Sequence, residues 1–262
     1  MEKIQPQKFW LKDNDHTNKS PYQEEYQCSI CHDTGWVVVN DQATACDCQK
    51  EKMTAKRKAR AGLSKALLDK TFANFKLDYY PEYLLVDQGI SYQALAQKAV
   101  KAAQDFTIAQ IKGYPSRGLF FDGEVGRGKT FLAAAIANKL IENGVDTLFL
   151  VVPEFLEQLR YTFEKGSSDS ESMLMDRACN VSVLILDDLG AHNFSDWTKS
   201  KIFTLINYRL NHKLPCVITS NLSVGQLGEE IGVRTVSRIM EMCDVYRLCR
   251  DGDLRMNAQG TG

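Results

Sequence analysis

Eight consecutive residues, Gly123-Glu124-Val125-Gly126-Arg127-Gly128-Lys129-Thr130, fit the pattern G-x-x-x-x-G-K-[ST]. Their flanks give the run its meaning. Leu119-Phe120-Phe121 ahead of it is a strand-forming apolar run, and Phe131 to Leu140 behind it reads as an apolar helix. The glycines therefore fall at a strand–loop–helix junction. There they let the backbone curl so that successive N–H groups converge, and the helix N-terminus adds its dipole. Such a loop cradles phosphate. Lys129 is expected to reach the β and γ phosphates of a nucleoside triphosphate, and the Thr130 hydroxyl to ligate Mg²⁺. ATP with magnesium is the expected ligand, and an α/β architecture is the expected frame.

The pattern downstream agrees with that frame. A helix is expected over Tyr92 to Ile111, ending at Gly113-Tyr114-Pro115, then a strand over Gly118 to Asp122 and a helix over Lys129 to Glu142 closed by Asn143-Gly144. A strand follows at Thr147 to Val152, and a helical stretch from Pro153 broken by a polar loop at Gly166 to Ser172. Further strands are expected at Val181 to Leu186 and Cys216 to Thr219, with a short helix around Val236. Between those strands a helix over Ser195 to Leu210 places Ile202, Phe203, Ile206 and Leu210 on one face. Strands apolar on both faces and alternating with helices predict a three-layer α/β fold around a parallel sheet, here a P-loop NTPase core.

Two strand ends carry the rest of the expected site. Val183-Leu184-Ile185-Leu186 delivers Asp187-Asp188 at its C-terminal edge, where ligands bind in open α/β sheets. Asp187 is expected to hold Mg²⁺, directly or through water, and Asp188 either to polarise the attacking water or to cap the following turn. Ile218-Thr219-Ser220-Asn221 is a second such end. Asn221 there either orients water near the γ-phosphate or belongs to an ordinary turn.

The eight cysteines divide. Cys179, Cys216, Cys243 and Cys249 are scattered and read as small apolar core residues of a reducing cytoplasm. Cys28-x-x-Cys31 and Cys46-x-Cys48 instead form two tight pairs around the turn Asp33-Thr34-Gly35 and the strand Trp36 to Val39. Four soft ligands bridged by a hairpin are the layout of a structural Zn²⁺ site, with iron–sulfur binding, free thiols or a His32 ligand as alternatives. His16, His192 and His212 read as surface residues. The expected organisation is a polar segment over 1–27, a zinc-binding module over 28–50, a basic helix and linker over 51–84, and the ATPase domain over 85–262. The helix carries Lys50, Lys52, Lys56, Arg57, Lys58 and Arg60, for a phosphate backbone or simply for solvent. With 44% apolar and 25% charged residues the composition is that of a globular chain, and a net charge of −1 excludes a global field for nucleic acid. No apolar run approaches the roughly 20 residues of a membrane span, and Met1 to Asp15 lacks the apolar core of a signal peptide. A cytoplasmic protein with no membrane partner is expected.

Thr71-Phe72-Ala73-Asn74-Phe75, the phosphate loop, Asp187-Asp188-Leu189-Gly190, Ile218 to Asn221, Val236-Ser237-Arg238-Ile239 and Gly252-Asp253-Leu254-Arg255 together resemble an AAA+ ATPase. Over residues 28 to 256 the chain is most similar to replicative-helicase loaders of the DnaC/DnaI type and their phage relatives. The resemblance implies that Asn221 reads the γ-phosphate as a sensor and that Arg238 is the arginine finger reaching a neighbouring subunit's nucleotide, with Arg234 as its rival. It also implies Arg255 as a second sensor. Asp188 stands where many relatives have Glu, which implies slow hydrolysis, stimulated by DNA or partner. The chain ends soon after Arg255, so a core without a full helical lid is expected. The implied function is an ATP-dependent loader that binds a hexameric replicative DNA helicase, self-associates into an ATP-dependent oligomer and helps place the helicase on single-stranded DNA. The zinc module would grip the helicase. Alternatives are an IstB-type transposition helper, which shares the core but usually lacks a zinc module, and a nucleotide-dependent binding module that hydrolyses nothing.

Overall fold

A computed structural model describes residues 26–39, 42–82, 89–164, 168–191 and 194–249. The N-terminal polar segment, His16, His192 and the Gly252 to Arg255 run lie outside the described residues. The chain forms two compact units that divide between Lys50 and Glu51.

In the first unit β1 (Trp36–Val39) pairs antiparallel with β2 (Gln42–Ala45), Trp36 opposite Ala45. Helix α1 (Asp47–Arg60) starts in this unit and runs into the second.

The second unit is built on a sheet of five parallel strands. In chain order its elements are α2 (Tyr92–Ile111), β3 (Gly118–Asp122), α3 (Lys129–Glu142), β4 (Thr147–Val151), α4 (Val152–Glu164), α5 (Ser168–Asn180), β5 (Val183–Asp187), α6 (Asp196–Asn211), β6 (Cys216–Ser220), α7 (Val224–Ile231), α8 (Val233–Met242) and β7 (Cys243–Arg247). The strand order is β4-β5-β6-β3-β7. Alternation along each strand feeds two cores. Leu119, Phe121, Val183, Ile185 and Val217 pack against α2 and α3, while Phe120, Leu184, Leu186 and Ile218 meet α4 to α8. Covering both faces explains the continuous apolar strands, and the expected three-layer α/β fold is the one observed. Residues 61–80, read from sequence as a linker, contribute Ala61 and Tyr80 to the α2–α3 core, and the Asn138 amide ties down the Leu67 and Lys70 carbonyls at 2.8 and 2.9 Å.

Several elements differ from their sequence expectation. Helix α5 begins at Ser168, inside the stretch read as a polar loop. Its serines suggested a loop, yet Leu174, Met175 and Ala178 form a helical stripe against the core. On α6 the buried face is Thr198, Ile202, Leu205, Ile206 and Arg209, whereas Phe203 and Leu210 are only half-buried. Strand β5 starts at Val183 instead of Val181. Helix α7, with a reciprocal Ser223–Gln226 cap, and the edge strand β7 were not expected. No helix among the described residues is long and apolar enough to cross a membrane.

Candidate functional site

The phosphate loop leaves β3 at Asp122, whose buried carboxylate is held by Arg247 of β7, the closest contact being 2.9 Å. The backbone just after β7 then presses on the loop, because a Cβ on Gly123 would meet the Leu248 carbonyl at 2.0 Å. No other residue fits there. Gly128 caps α3 in the left-handed region at φ 84, where glycine carries no steric penalty. Glu124 and Val125 face solvent, whereas the Arg127 side chain is buried beside Glu124. The buried Tyr80 hydroxyl donates to the Arg127 carbonyl at 2.7 Å and so ties the segment before the sheet to the loop.

At the start of α3 the Lys129 ammonium is buried. It donates to the Gly123 and Glu124 carbonyls at 2.6 and 2.7 Å and to Asn221 Oδ1 at 2.8 Å. Burial pulls its pKa down to about 8, against the opposing carboxylates of Asp188, Asp187 and Asp122. The sheet order explains how Asn221 arrives: β6 is inserted between β3 and β5, so its polar end lies between the loop and the two aspartates. Asp187 is buried. Thr219 donates to its Oδ1 at 2.7 Å and Thr130 to its Oδ2 at 3.1 Å. Burial raises its pKa and the neighbouring Asp188 adds to the rise, while the two hydroxyls and Lys129 oppose it. Asp188 adopts a left-handed φ of 62, uncommon for a residue with a side chain, and its Oδ1 accepts from the Asn221 amide.

These groups line a cleft of about 730 Å³ that contains Gly126, Lys129, Thr130, Asp187, Asp188 and Asn221. A smaller apolar recess of about 130 Å³, walled by Phe75, Tyr79, Tyr80 and Phe131, shares Gly128 and Phe131 with it. Charged and polar side chains thus converge in the larger cleft and aromatic ones in the smaller recess. Thr130 and Asp187 bring two hard oxygen donors together at the loop, a set suited to Mg²⁺.

Arg234 and Arg238 both lie on the exposed face of α8, and neither lines the cleft. Arg238 pairs with Glu241 at 3.1 Å. Arg255 lies outside the described residues. Sequence reasoning missed Tyr80, Arg247 and the hydroxyl of Thr219. The first two meet the loop only across long chain separations, which leave no local signal.

The four clustered cysteines converge within the first unit. Their Sγ atoms all lie within 4.8 Å of one another, Cys28 to Cys46 at 3.8 Å and Cys31 to Cys48 at 3.4 Å. Four thiolates at about 2.3 Å from zinc stand about 3.8 Å apart, so the set fits a tetrahedral ion. Left-handed His32, Asp33 and Gly35 curl the chain around Cys31, and the Gly35 N–H donates to its sulfur at 3.3 Å. Backbone N–H groups of Cys31 and Ile30 lower the Cys28 pKa to about 7, whereas the neighbouring Cys31 sulfur and burial push the Cys48 thiol up, and the Cys46 thiol is raised as well. The His32 ring stacks on Tyr26 and does not join the cluster.

A parallel sheet with a glycine-rich loop and lysine after one strand, a carboxylate after another and a polar strand end between them defines a P-loop nucleoside triphosphatase fold. Within that class the chain belongs to the family of IstB-like ATP binding proteins, whose pattern it matches over residues 91–246. It is similar to the replicative helicase loader DnaI of Bacillus subtilis (strain 168), 32% identical over 164 residues, covering 58% of this chain and 51% of that protein. It is also similar to the replicative helicase loader DnaC of Escherichia coli (strain K12), 30% identical over 119 residues, covering 45% and 48%. The chain spans about half the length of these two relatives. Among solved structures, that of the DnaC helicase loader superposes with a TM-score of 0.54 at 26% identity, covering 71% of this chain and 100% of that one.

Proposed function

We propose that this protein is an ATP-dependent loader that binds a replicative DNA helicase and helps place it on single-stranded DNA. The observation that carries the reading is the convergence of Lys129, Thr130, Asp187, Asp188 and Asn221 in one cleft of a chain similar to two helicase loaders. ATP enters with its phosphates over the backbone N–H groups of Gly123 to Thr130. Lys129 then exchanges the Gly123 and Glu124 carbonyls for the β and γ phosphates. Thr130 and Asp187 hold Mg²⁺, which offsets phosphate charge when bound. Asp188 polarises the attacking water, and Asn221, already bonded to both Lys129 and Asp188, senses the γ-phosphate. Without a Glu at 188, hydrolysis is slow and depends on DNA or partner.

Arg238 acts in trans on a neighbouring subunit's nucleotide, and Arg255 serves as second sensor. Cys28, Cys31, Cys46 and Cys48 hold a structural Zn²⁺ that fixes a helicase-gripping module over residues 28–50. The ATPase domain over 85–262 contacts single-stranded DNA and self-associates with ATP. The IstB-like family match favours one second reading, a transposition helper ATPase. Affinity capture from host lysate with ATP separates the two. A hexameric replicative helicase, retained by wild type and reduced with Lys129→Ala, is the expected catch, and a transposase in its place would sink the loader reading.

A further inference from the structure

Thr219 stands at the C-terminal end of β6, its side chain buried, opposite Phe121 of β3. A threonine hydroxyl has one hydrogen and two lone pairs. Here the Asp188 N–H donates to Oγ1 at 2.9 Å, which occupies one lone pair. The single hydrogen goes to Asp187 Oδ1 at 2.7 Å. The Thr219 carbonyl in turn accepts from the Leu189 N–H at 2.9 Å. One residue thus fastens three consecutive positions of the neighbouring strand end. The consequence for Asp187 is directional. With Oδ1 taken by Thr219, its other oxygen is turned to the Thr130 hydroxyl at 3.1 Å, the side facing the phosphate loop. The consequence for Asp188 is conformational, since its N–H is anchored while the residue sits at φ 62.

We infer that Thr219 is the positioning residue of the magnesium–nucleotide site: its hydroxyl holds Oδ1 of Asp187 so that Oδ2 stays on the Thr130 side, toward the cation, and it holds Asp188 in the left-handed turn that brings its carboxylate to Asn221. The inference rests on the reading of the cleft as a Mg²⁺–ATP site. Thr219 is buried in the wall of the cleft, and in this role it acts through the two aspartates.

The test is equilibrium binding of ATP to the full chain by calorimetry, in EDTA and across a Mg²⁺ titration, for wild type, Thr219→Val and Thr219→Ser. Valine keeps the shape and removes the hydroxyl. Losing one hydrogen bond to a charged group should reduce the Mg²⁺-dependent gain in ATP affinity about tenfold. Metal-free ATP affinity, which Asp187 does not set, should stay at the wild-type level. Serine, which restores the hydroxyl, should restore the Mg²⁺ gain. A wild-type Mg²⁺ gain in Thr219→Val overturns the inference while leaving the site reading standing. Wild-type protein that binds ATP with no Mg²⁺ gain removes the site reading and this inference together. Should Thr219→Val fail to fold, Thr219→Cys takes its place as a weak donor of similar size: a gain below that of Thr219→Ser supports the role, and equal gains overturn it.

Discussion

The Lys129 ammonium, proposed to bind the β and γ phosphates, is held by two carbonyls and Asn221. Burial lowers its pKa to about 8, so at higher pH a growing fraction is neutral before ATP arrives. Triphosphate charge favours the protonated form and raises the bound pKa. Proton uptake on binding should therefore appear above about pH 8, affinity should fall as pH rises, and both effects should fade about a unit below that pKa. Calorimetry in two buffers of different ionisation enthalpy measures the uptake directly. Lys129→Arg, charged throughout, should show no such uptake, and Lys129→Ala should lose ATP binding. Unchanged nucleotide affinity in Lys129→Ala would remove the phosphate-loop assignment. The placement of this lysine in the cleft was legible in the sequence because it follows from spacing within one loop. Tyr80 and Arg247 were not, because their partners, the Arg127 carbonyl and Asp122, come from distant parts of the chain.

At the scale of elements, the hairpin of β1 and β2 shows what short-range pattern reveals. Two cysteine pairs flanking a turn and a strand forecast a four-sulfur cluster, and the sulfurs do converge. Elemental analysis of protein purified under reducing conditions should give about one zinc per chain. Replacing Cys28 and Cys31 together with serine should abolish it. ATP binding should survive, since the second unit has cores of its own. An iron signal, or no metal, would reject the site. Other elements were less readable. Helix α5 hides its apolar stripe among serines, and β7 is a parallel edge strand, half-exposed and without a continuous apolar run. Arg209 of α6 is fully buried, its guanidinium donating to the carbonyls of Ala178, Cys179, Val181 and Pro215. Periodicity marks a face; it does not tell which polar residue finds partners there.

For the whole molecule the decisive question is assembly. Arg238 lies on the exposed face of α8 and does not line the chain's own cleft. Arg238→Ala should bind ATP normally, hydrolyse it about tenfold to a hundredfold more slowly and lose ATP-dependent oligomerisation on single-stranded DNA. Mixed with Lys129→Ala, it supplies intact pockets while the other supplies intact fingers, so part of the activity should return. If co-assembled mixtures recover nothing, Arg238 does not act in trans, and Arg234 becomes the candidate. The sequence by itself determined the phosphate loop, the parallel α/β layering and the cysteine cluster, because each is written in local spacing: a strand–loop–helix junction, apolar runs of strand length, paired thiols around a turn. Tertiary structure alone decided the order β4-β5-β6-β3-β7. Insertion of β6 brings Thr219 and Asn221, some 30 residues downstream, beside Asp187 and Asp188. Strand order is fixed by which faces the crossing helices bury, a sum over many weak apolar contacts that no single stretch of sequence records.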